Sequence, residues 1–203
     1  MEKLIAFHCA PALAGIKTAN MVSVDNKKYP DLIKDLTNLN NQLNKRGIKL
    51  EIICHCKRKT MVMVYRPLLL EKYIKSPEIK NFLKTEGYPV NGTLNENIEF
   101  LKTRLKSDEF PHEIGAFLGY PIEDIYGFIN HKNEGLLLSG GWKVYANVNE
   151  AKKKFQRFSA CRCALLNRIT KGHTLRKSFV LHDKLPLYVK TNDCVCSLSN
   201  PNH

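Results

Sequence analysis

The sequence predicts an α+β fold, in which a small and mostly antiparallel sheet of about four strands packs with seven or eight helices. The chain has 203 residues, of which 43% are hydrophobic and 25% charged, proportions typical of a globular domain. One pair of strand patterns forms a hairpin, and strands and helices alternate too irregularly for a doubly wound parallel sheet. We expect a single domain over residues 1–171 and a C-terminal extension over 172–203 that is partly disordered.

Helical periodicity, with apolar residues three and four positions apart, recurs along most of the chain. It predicts helices over residues 2–13, 30–46, 67–73, 77–86, 94–105, 111–118, 121–131 and 149–169. Several of these segments begin with a proline, which presets the backbone angle of a first helical residue. Thr93 and Glu96 have the spacing of a capping box, and Asn149 is expected to cap the last helix.

Short β-branched or alternating runs predict the strands. They lie at residues 20–24, 48–56, 60–65 and 142–146. The second and third are joined by a basic turn, so they form the hairpin. Alternation in the second strand assigns one set of side chains to the core face: Ile48, Leu50, Ile52, Cys54 and Cys56.

The excess of basic residues indicates which kinds of partner the protein attracts, and it does not indicate the fold. The chain has 32 Lys and Arg against 19 Asp and Glu, a net charge of +13. Residues 151–177 contain many of these bases and no acid. Such a helix can follow the phosphates of a nucleic acid or bind an acidic protein, although a solvated surface has the same composition. The residues expected to bind nucleic acid are Lys152, Lys153, Arg157, Arg168 and Lys171.

Neither a membrane protein nor an exported protein is expected. No apolar run approaches the roughly 18 residues of a spanning helix. The apolar run before His8 is too short for a signal peptide. Seven cysteines, an odd number, do not have the spacing of a secreted disulfide scaffold. We therefore expect a cytoplasmic protein.

Three dense segments carry a resemblance to a known family. They are His8–Lys17 (HCAPALAGIK), Phe110–Asp124 (FPHEIGAFLGYPIED) and Gly141–Tyr145 (GWKVY). Together with Tyr65-Arg66-Pro67, they resemble a family of uncharacterised cytoplasmic proteins found mainly in anaerobic, clostridia-like bacteria. The resemblance covers roughly residues 1–170 and implies no established activity.

The leading functional hypothesis is a binding or accessory protein, whose unidentified ligand or partner contacts the segments 8–17 and 110–124. Prolines and glycines give the second segment a structural explanation, yet its polar residues at a helix corner can border a pocket. The expected ligand contacts are His8, Lys17, Tyr120 and Asp124.

A cysteine-dependent enzyme is the alternative hypothesis. A thiolate nucleophile needs a neighbouring imidazole or cation to lower its pKa. His8 is a poor partner for Cys9, because adjacent residues point in different directions. His112, beside Glu113 at a proline-initiated helix, is a better one, so the expected catalytic set is Cys9, His112 and Glu113. In the competing interpretation, Cys9 is a small buried residue and His112 lines a helix junction.

No metal site and no cofactor are predicted. Three cysteine pairs have one intervening residue, whereas structural zinc sites have about two to four. They are Cys54/Cys56, Cys161/Cys163 and Cys194/Cys196. On a helix, the second pair would point about 200° apart. Phosphate-binding glycine loops, nucleophile elbows and dinucleotide fingerprints are absent from the sequence.

Overall fold

The computed structural model describes residues 1–107 and 110–179, which form helices and short strands. The helices in these ranges are α1 (Glu2–Leu13), α2 (Leu32–Asn44), α3 (Pro67–Ile74), α4 (Pro77–Thr85), α5 (Leu94–Arg104), α6 (Ile114–Phe117), α7 (Ile122–His131), α8 (Val148–Thr170) and α9 (Leu175–Ser178). The strands are β1 (Ala19–Asp25), β2 (Lys49–His55), β3 (Lys59–Tyr65), β4 (Leu138–Ser139) and β5 (Lys143–Val144). The α+β class is therefore confirmed. Among the helices of the described ranges, none combines the length and the hydrophobicity of a membrane span.

The expected four-stranded sheet is wrong, because the strands divide into two sheets. β1, β3 and β2 form a three-stranded antiparallel sheet with β3 in the centre. β4 and β5 form a separate two-stranded hairpin. The turn between them contains Gly140 and Gly141, where an added side chain would collide with the Phe155 ring of α8.

A β-bulge changes the predicted face of β2. The pairing with β3 shifts between Ile52 and Cys54, so one extra residue stands on the β2 side. That extra residue, Ile53, is buried in the core, whereas Cys54 is only half-buried and Cys56 is exposed. The prediction that the two cysteines share the core face with Ile52 is therefore wrong.

The three-stranded sheet is covered on both faces. On one face, the first core joins side chains of α1, α2, α8 and α9 to alternate residues of the sheet such as Val22, Val62 and Val64. On the other face, the second core joins α3 to α7 to the intervening residues, including Met63 and Tyr65. A smaller cluster holds the β4–β5 hairpin against α8 around Trp142 and Val144.

A polar network ties the three strands together at one end of the sheet. The Thr60 hydroxyl on β3 donates to Oδ1 of Asn26, just after β1, at 2.7 Å. Nδ1 of His55 on β2 lies 2.6 Å from the same hydroxyl oxygen. Thr60 is fully buried, and Asn26 also donates to the carbonyl of Cys56 at 2.7 Å. The network therefore connects all three strands through one buried hydroxyl.

Two helix starts were predicted from capping residues, with opposite outcomes. Thr93 accepts a hydrogen bond from the Glu96 amide, and the Glu96 carboxylate accepts one from the Thr93 amide, so the capping box is confirmed. The prediction of Asn149 as the cap of α8 is wrong. The helix begins two residues earlier, because Asn147 adopts a left-handed conformation (φ 51°, ψ 45°) that turns the chain into the helix.

The C-terminal part of the described chain packs against the first core. Leu175 of α9 is fully buried, and its amide donates to the Glu2 carboxylate of α1 at 2.7 Å. The division between a domain over 1–171 and an extension over 172–203 stays a prediction. Of the expected extension, residues 172–179 are described and residues 180–203 lie outside the described residues.

Candidate ligand-binding site

The segments 8–17 and 110–124 meet at the end of α6. The ammonium of Lys17 lies 5.2 Å from the centre of the Tyr120 ring, a cation–π contact. The hydroxyl of the next residue, Thr18, donates to the carbonyl of Phe117 at 3.2 Å. The chain turns there at Gly119, whose φ of +72° suits glycine and whose missing side chain leaves room for Thr18.

The segment 141–145 joins the same place through Asp124. Nε1 of Trp142 donates to Oδ2 of Asp124 at 2.6 Å, and the amides of Tyr145 and Ala146 donate to Oδ1 at 2.7 and 3.1 Å. Asp124 is buried, and these three donors occupy both of its carboxylate oxygens. Its main role in the structure is therefore to hold the β4–β5 hairpin against α7. Trp142 in turn stacks on Tyr120, with ring centres 5.4 Å apart.

A cavity of about 360 Å³ opens where the segments 110–124 and 141–145 meet. Its volume falls at the small end of the range for ligand pockets. Four of its lining residues are aromatic: Phe110, Tyr120, Phe128 and Trp142. Aliphatic side chains complete most of the wall: Met21, Ile114, Leu118 and Ile125. We call this space the α6–α7 cavity.

Two basic side chains line the largely apolar α6–α7 cavity. His112 is exposed and contacts Phe128 edge-on, with ring centres 5.0 Å apart. The ammonium of Lys143 lies 4.8 Å from the centre of the same Phe128 ring and donates to Oδ1 of Asn133 at 2.7 Å. Within the described part of the chain, Lys143 forms no ion pair with a carboxylate. Within these residues, its nearest partners are therefore the Asn133 amide oxygen and the Phe128 ring.

Glu113 does not accompany His112 into the cavity. It is buried and accepts a hydrogen bond from Nε of Arg104 at 2.7 Å, with the Tyr88 hydroxyl at 3.3 Å from the same oxygen. Burial, and then the adjacent Glu113, raises the pKa of the Tyr88 hydroxyl. Glu113 therefore forms a structural ion pair between α5 and α6.

Cys9 lies in the first core, on the opposite face of the sheet from the α6–α7 cavity. Its side chain is fully buried, and this burial raises the pKa of its thiol to about 12. No hydrogen bond among the described residues joins any two of Cys9, His112 and Glu113. The structure thus does not bring the three residues together as a catalytic set, since His112 lines the cavity and Glu113 pairs with Arg104.

The four expected ligand contacts lie at different distances from the cavity. Tyr120 and Asp124 line it directly. Lys17 lies behind the Tyr120 ring, outside the lining. His8 is exposed on α1, where it contacts Phe7 at 4.9 Å between ring centres. Partial desolvation of the ring, and then the charge of the neighbouring Arg162, lowers the pKa of His8.

Among the lining residues that sequence patterns do not identify are Lys143 and Phe128. Lys143 lies within the segment 141–145, whose dense motif was the available signal, but a lysine on a strand has no distinctive spacing. Phe128 continues the apolar side of α7, so its pattern is that of an ordinary core residue. Only the fold places both beside His112.

The cysteine pairs give no metal centre within the described ranges. No group of three His, Cys, Asp or Glu side chains there could hold an ion. Cys161 and Cys163 are both buried on α8. Cys194 and Cys196 lie outside the described residues.

The five residues expected to bind nucleic acid are all exposed on or directly after α8. They are Lys152, Lys153, Arg157, Arg168 and Lys171. Of these, Lys153 pairs with Glu150 at 2.8 Å. None of the five lines the α6–α7 cavity.

Lys17 yields a prediction about stability and pH. Burial lowers the pKa of its ammonium from 10.5 to about 8, so the folded protein bears a cost while Lys17 is charged. That cost is complete below pH 8 and disappears as the pH rises from 8 towards 10.5. We expect Lys17→Met to remove this cost and also the cation–π contact. The net increase in the free energy of unfolding should be roughly 2 kcal/mol at neutral pH.

Urea unfolding of Lys17→Met at pH 7 and pH 9.5 measures this effect, with the exposed Lys3→Met on α1 as the matched control. The gain should shrink at the higher pH, and Lys3→Met should change little at either. A gain that is equal at both pH values would contradict the assignment to a buried ammonium.

Comparison with known proteins identified a family. Residues 5–178 match the family model described as "Protein of unknown function (DUF3793)". No curated protein and no solved structure matched the chain. The expectation of an uncharacterised family is confirmed, whereas the expected bacterial origin stays a prediction.

Proposed function

The chain belongs to the DUF3793 family, and from the geometry of its site we propose that it binds a small apolar anion in the α6–α7 cavity. The observation that carries the proposal is an aromatic-walled cavity with an ammonium on its lining. The two parts of such a ligand, its ring system and its charged group, have separate support.

The walls support an apolar or aromatic body for the ligand. Engineered apolar cavities of about 150 Å³ hold one benzene ring. The α6–α7 cavity, at about 360 Å³, has room for roughly two. Trp142 and Phe128 line this space, and so does Phe110, which is 53% exposed. Aromatic side chains of this kind contact planar ligands with little loss of side-chain entropy.

The lining charges support an acidic group on that body. Lys143 lacks a carboxylate partner among the described residues, and His112 beside it offers a second donor. The carboxylate in the lining, Asp124, is occupied by three protein donors, so it is a weak competitor for the lysine. A carboxylate or sulfonate on the ligand would gain a charge-assisted hydrogen bond from Lys143.

Binding explains these residues better than catalysis does. An acid–base or nucleophilic mechanism needs a group with a free reactive atom facing the substrate. The Asp124 and Glu113 carboxylates already accept hydrogen bonds from protein donors, and Cys9 lies in the first core.

We also propose a cytoplasmic location, because Cys9, Cys54, Cys56 and Cys161 are free thiols, as in a reducing compartment.

The test uses the one tryptophan of the chain, Trp142, which lines the cavity. We expect 8-anilinonaphthalene-1-sulfonate, an apolar aromatic anion, to bind the native protein and to accept energy from Trp142. Lys143→Gln should weaken this binding by about 5- to 10-fold, the loss of one charge-assisted hydrogen bond. The uncharged analogue N-phenyl-1-naphthylamine should bind Lys143→Gln and the wild type equally.

Lys132→Gln provides the matched control, because Lys132 is an exposed lysine at the end of α7 that is absent from the cavity lining. It should leave the affinity for both dyes unchanged. Binding without energy transfer from Trp142, or an equal loss of both dyes in Lys143→Gln, would refute the proposal.

A further inference from the structure

We propose that the outer face of α8 binds the phosphate backbone of a nucleic-acid duplex, independently of the α6–α7 cavity. Residues 151–179 contain nine Lys and Arg and no Asp or Glu. Eight of these nine side chains are exposed, Arg162 being the half-buried one. Apart from the ion pair of Lys153 with Glu150, no ion pair among the described residues neutralises this positive surface, which attracts polyanions.

The bases form an ordered stripe along the helix. At 3.6 residues per turn, Lys153, Arg157, Arg168 and Lys171 fall within about 60° of one another around the helix axis. We call these four residues the basic stripe. Its length is roughly 27 Å, from the rise of 1.5 Å per residue.

The basic stripe consists of two pairs with small residues between them. Lys153 and Arg157 form one pair and Arg168 and Lys171 the other, about 16 Å apart along the axis. Ala160 and Ala164 occupy the same side of the helix between the pairs. Long basic side chains at both ends can therefore reach the two phosphate backbones that flank the major groove, about 12 Å wide, while the alanines allow close approach.

The composition of the stripe favours a duplex over an acidic protein. A protein interface has an apolar centre with charged residues depleted there. None of the exposed large hydrophobic side chains of the described residues lies on α8. Single strands are held by exposed aromatic rings, whereas Phe155 and Phe158 of α8 pack into the cluster around Trp142. The basic stripe therefore offers contacts to phosphates and neither an apolar centre nor an aromatic stacking surface. The binding should be independent of base sequence.

Fluorescence anisotropy of a labelled DNA duplex of arbitrary sequence, about two helical turns long, tests the proposal on the full chain. Four phosphate contacts give a slope of about −3.6 for log K against log salt, and an affinity that falls on the order of 100-fold between 50 and 200 mM salt. We expect the double variants K153Q/R157Q and R168Q/K171Q each to reduce the slope by about 2 in magnitude.

A control variant removes the same total charge elsewhere. K28Q/K34Q/K72Q/K84Q neutralises four exposed lysines on other elements, and it should retain the wild-type slope. The proposal is overturned by no binding at 50 mM salt, or by equal losses in the control and in the variant K153Q/R157Q/R168Q/K171Q, which combines the two double variants. Tighter binding of polyglutamate than of the duplex would overturn it in favour of an acidic protein partner.

Discussion

Replacing Asp124 with alanine should lower the free energy of unfolding by about 4 kcal/mol, since the change leaves buried donors without an acceptor. Trp142 loses the partner of its Nε1, and the amides of Tyr145 and Ala146 lose theirs. These three donors hold the β4–β5 hairpin against α7, so the hairpin should detach while the three-stranded sheet persists. Urea unfolding gives the free energy, and the Trp142 emission maximum of the native variant reports the hairpin.

Two companion variants separate the contributions at Asp124. Trp142→Phe keeps an aromatic ring in the stack on Tyr120 but removes the donor to Oδ2 of Asp124, so it should cost about 2 kcal/mol. Asp124→Asn keeps the shape but offers one acceptor oxygen instead of two, and it should fall between the other two variants. A native-like emission maximum in Asp124→Ala would show that the hairpin is held by packing rather than by the carboxylate.

Gly119→Ala should destabilise the protein by about 3 kcal/mol, for two additive reasons. The φ of Gly119 is +72°, a conformation that costs a residue with a side chain roughly 1–2 kcal/mol. A methyl group there would also overlap the hydroxyl of Thr18, which cannot yield without losing its bond to Phe117. The variant would push apart the segments that meet beside Tyr120.

Gly135 supplies the matched control for Gly119. It has a similar φ of +68°, and a side chain placed there would meet nothing within 4 Å. Gly135→Ala should therefore bear only the backbone cost, and the difference in unfolding free energy measures the contact with Thr18. Equal losses in the two variants would mean that the contact adds nothing.

Local signals in the sequence predict much of the secondary structure. The boundaries of α1 agree with the periodicity from Glu2 to Leu13, and the capping box at Thr93 begins α5 as expected. Both depend on residues within a few positions of each other, so a single chain contains the whole signal. The hairpin of β2 and β3 is readable for the same reason.

Features that depend on distant partners could not be read in this way. Glu113 was expected to assist the neighbouring His112, yet it turns into the core because Arg104 and Tyr88 are there to meet it. The bulge at Ile53 cannot be predicted from the sequence either, because both faces of this strand are apolar and an isoleucine fits either one. The meeting of Lys17 with Tyr120 joins residues about a hundred positions apart and has no local signature.

The burial of the three-stranded sheet on both faces has a consequence for how its strands are aligned. In a sheet with one face exposed to solvent, a shift in register by one residue moves the apolar side chains of a strand to the solvent face. Hydrophobicity alone therefore specifies the register of such a sheet. In β3, both Val62 and Met63 are buried, and a slipped strand would still find apolar surroundings. The Thr60 hydroxyl, which donates to Asn26 and lies beside Nδ1 of His55, then specifies the register of the strands. A misaligned strand would leave this buried hydroxyl without hydrogen-bond partners.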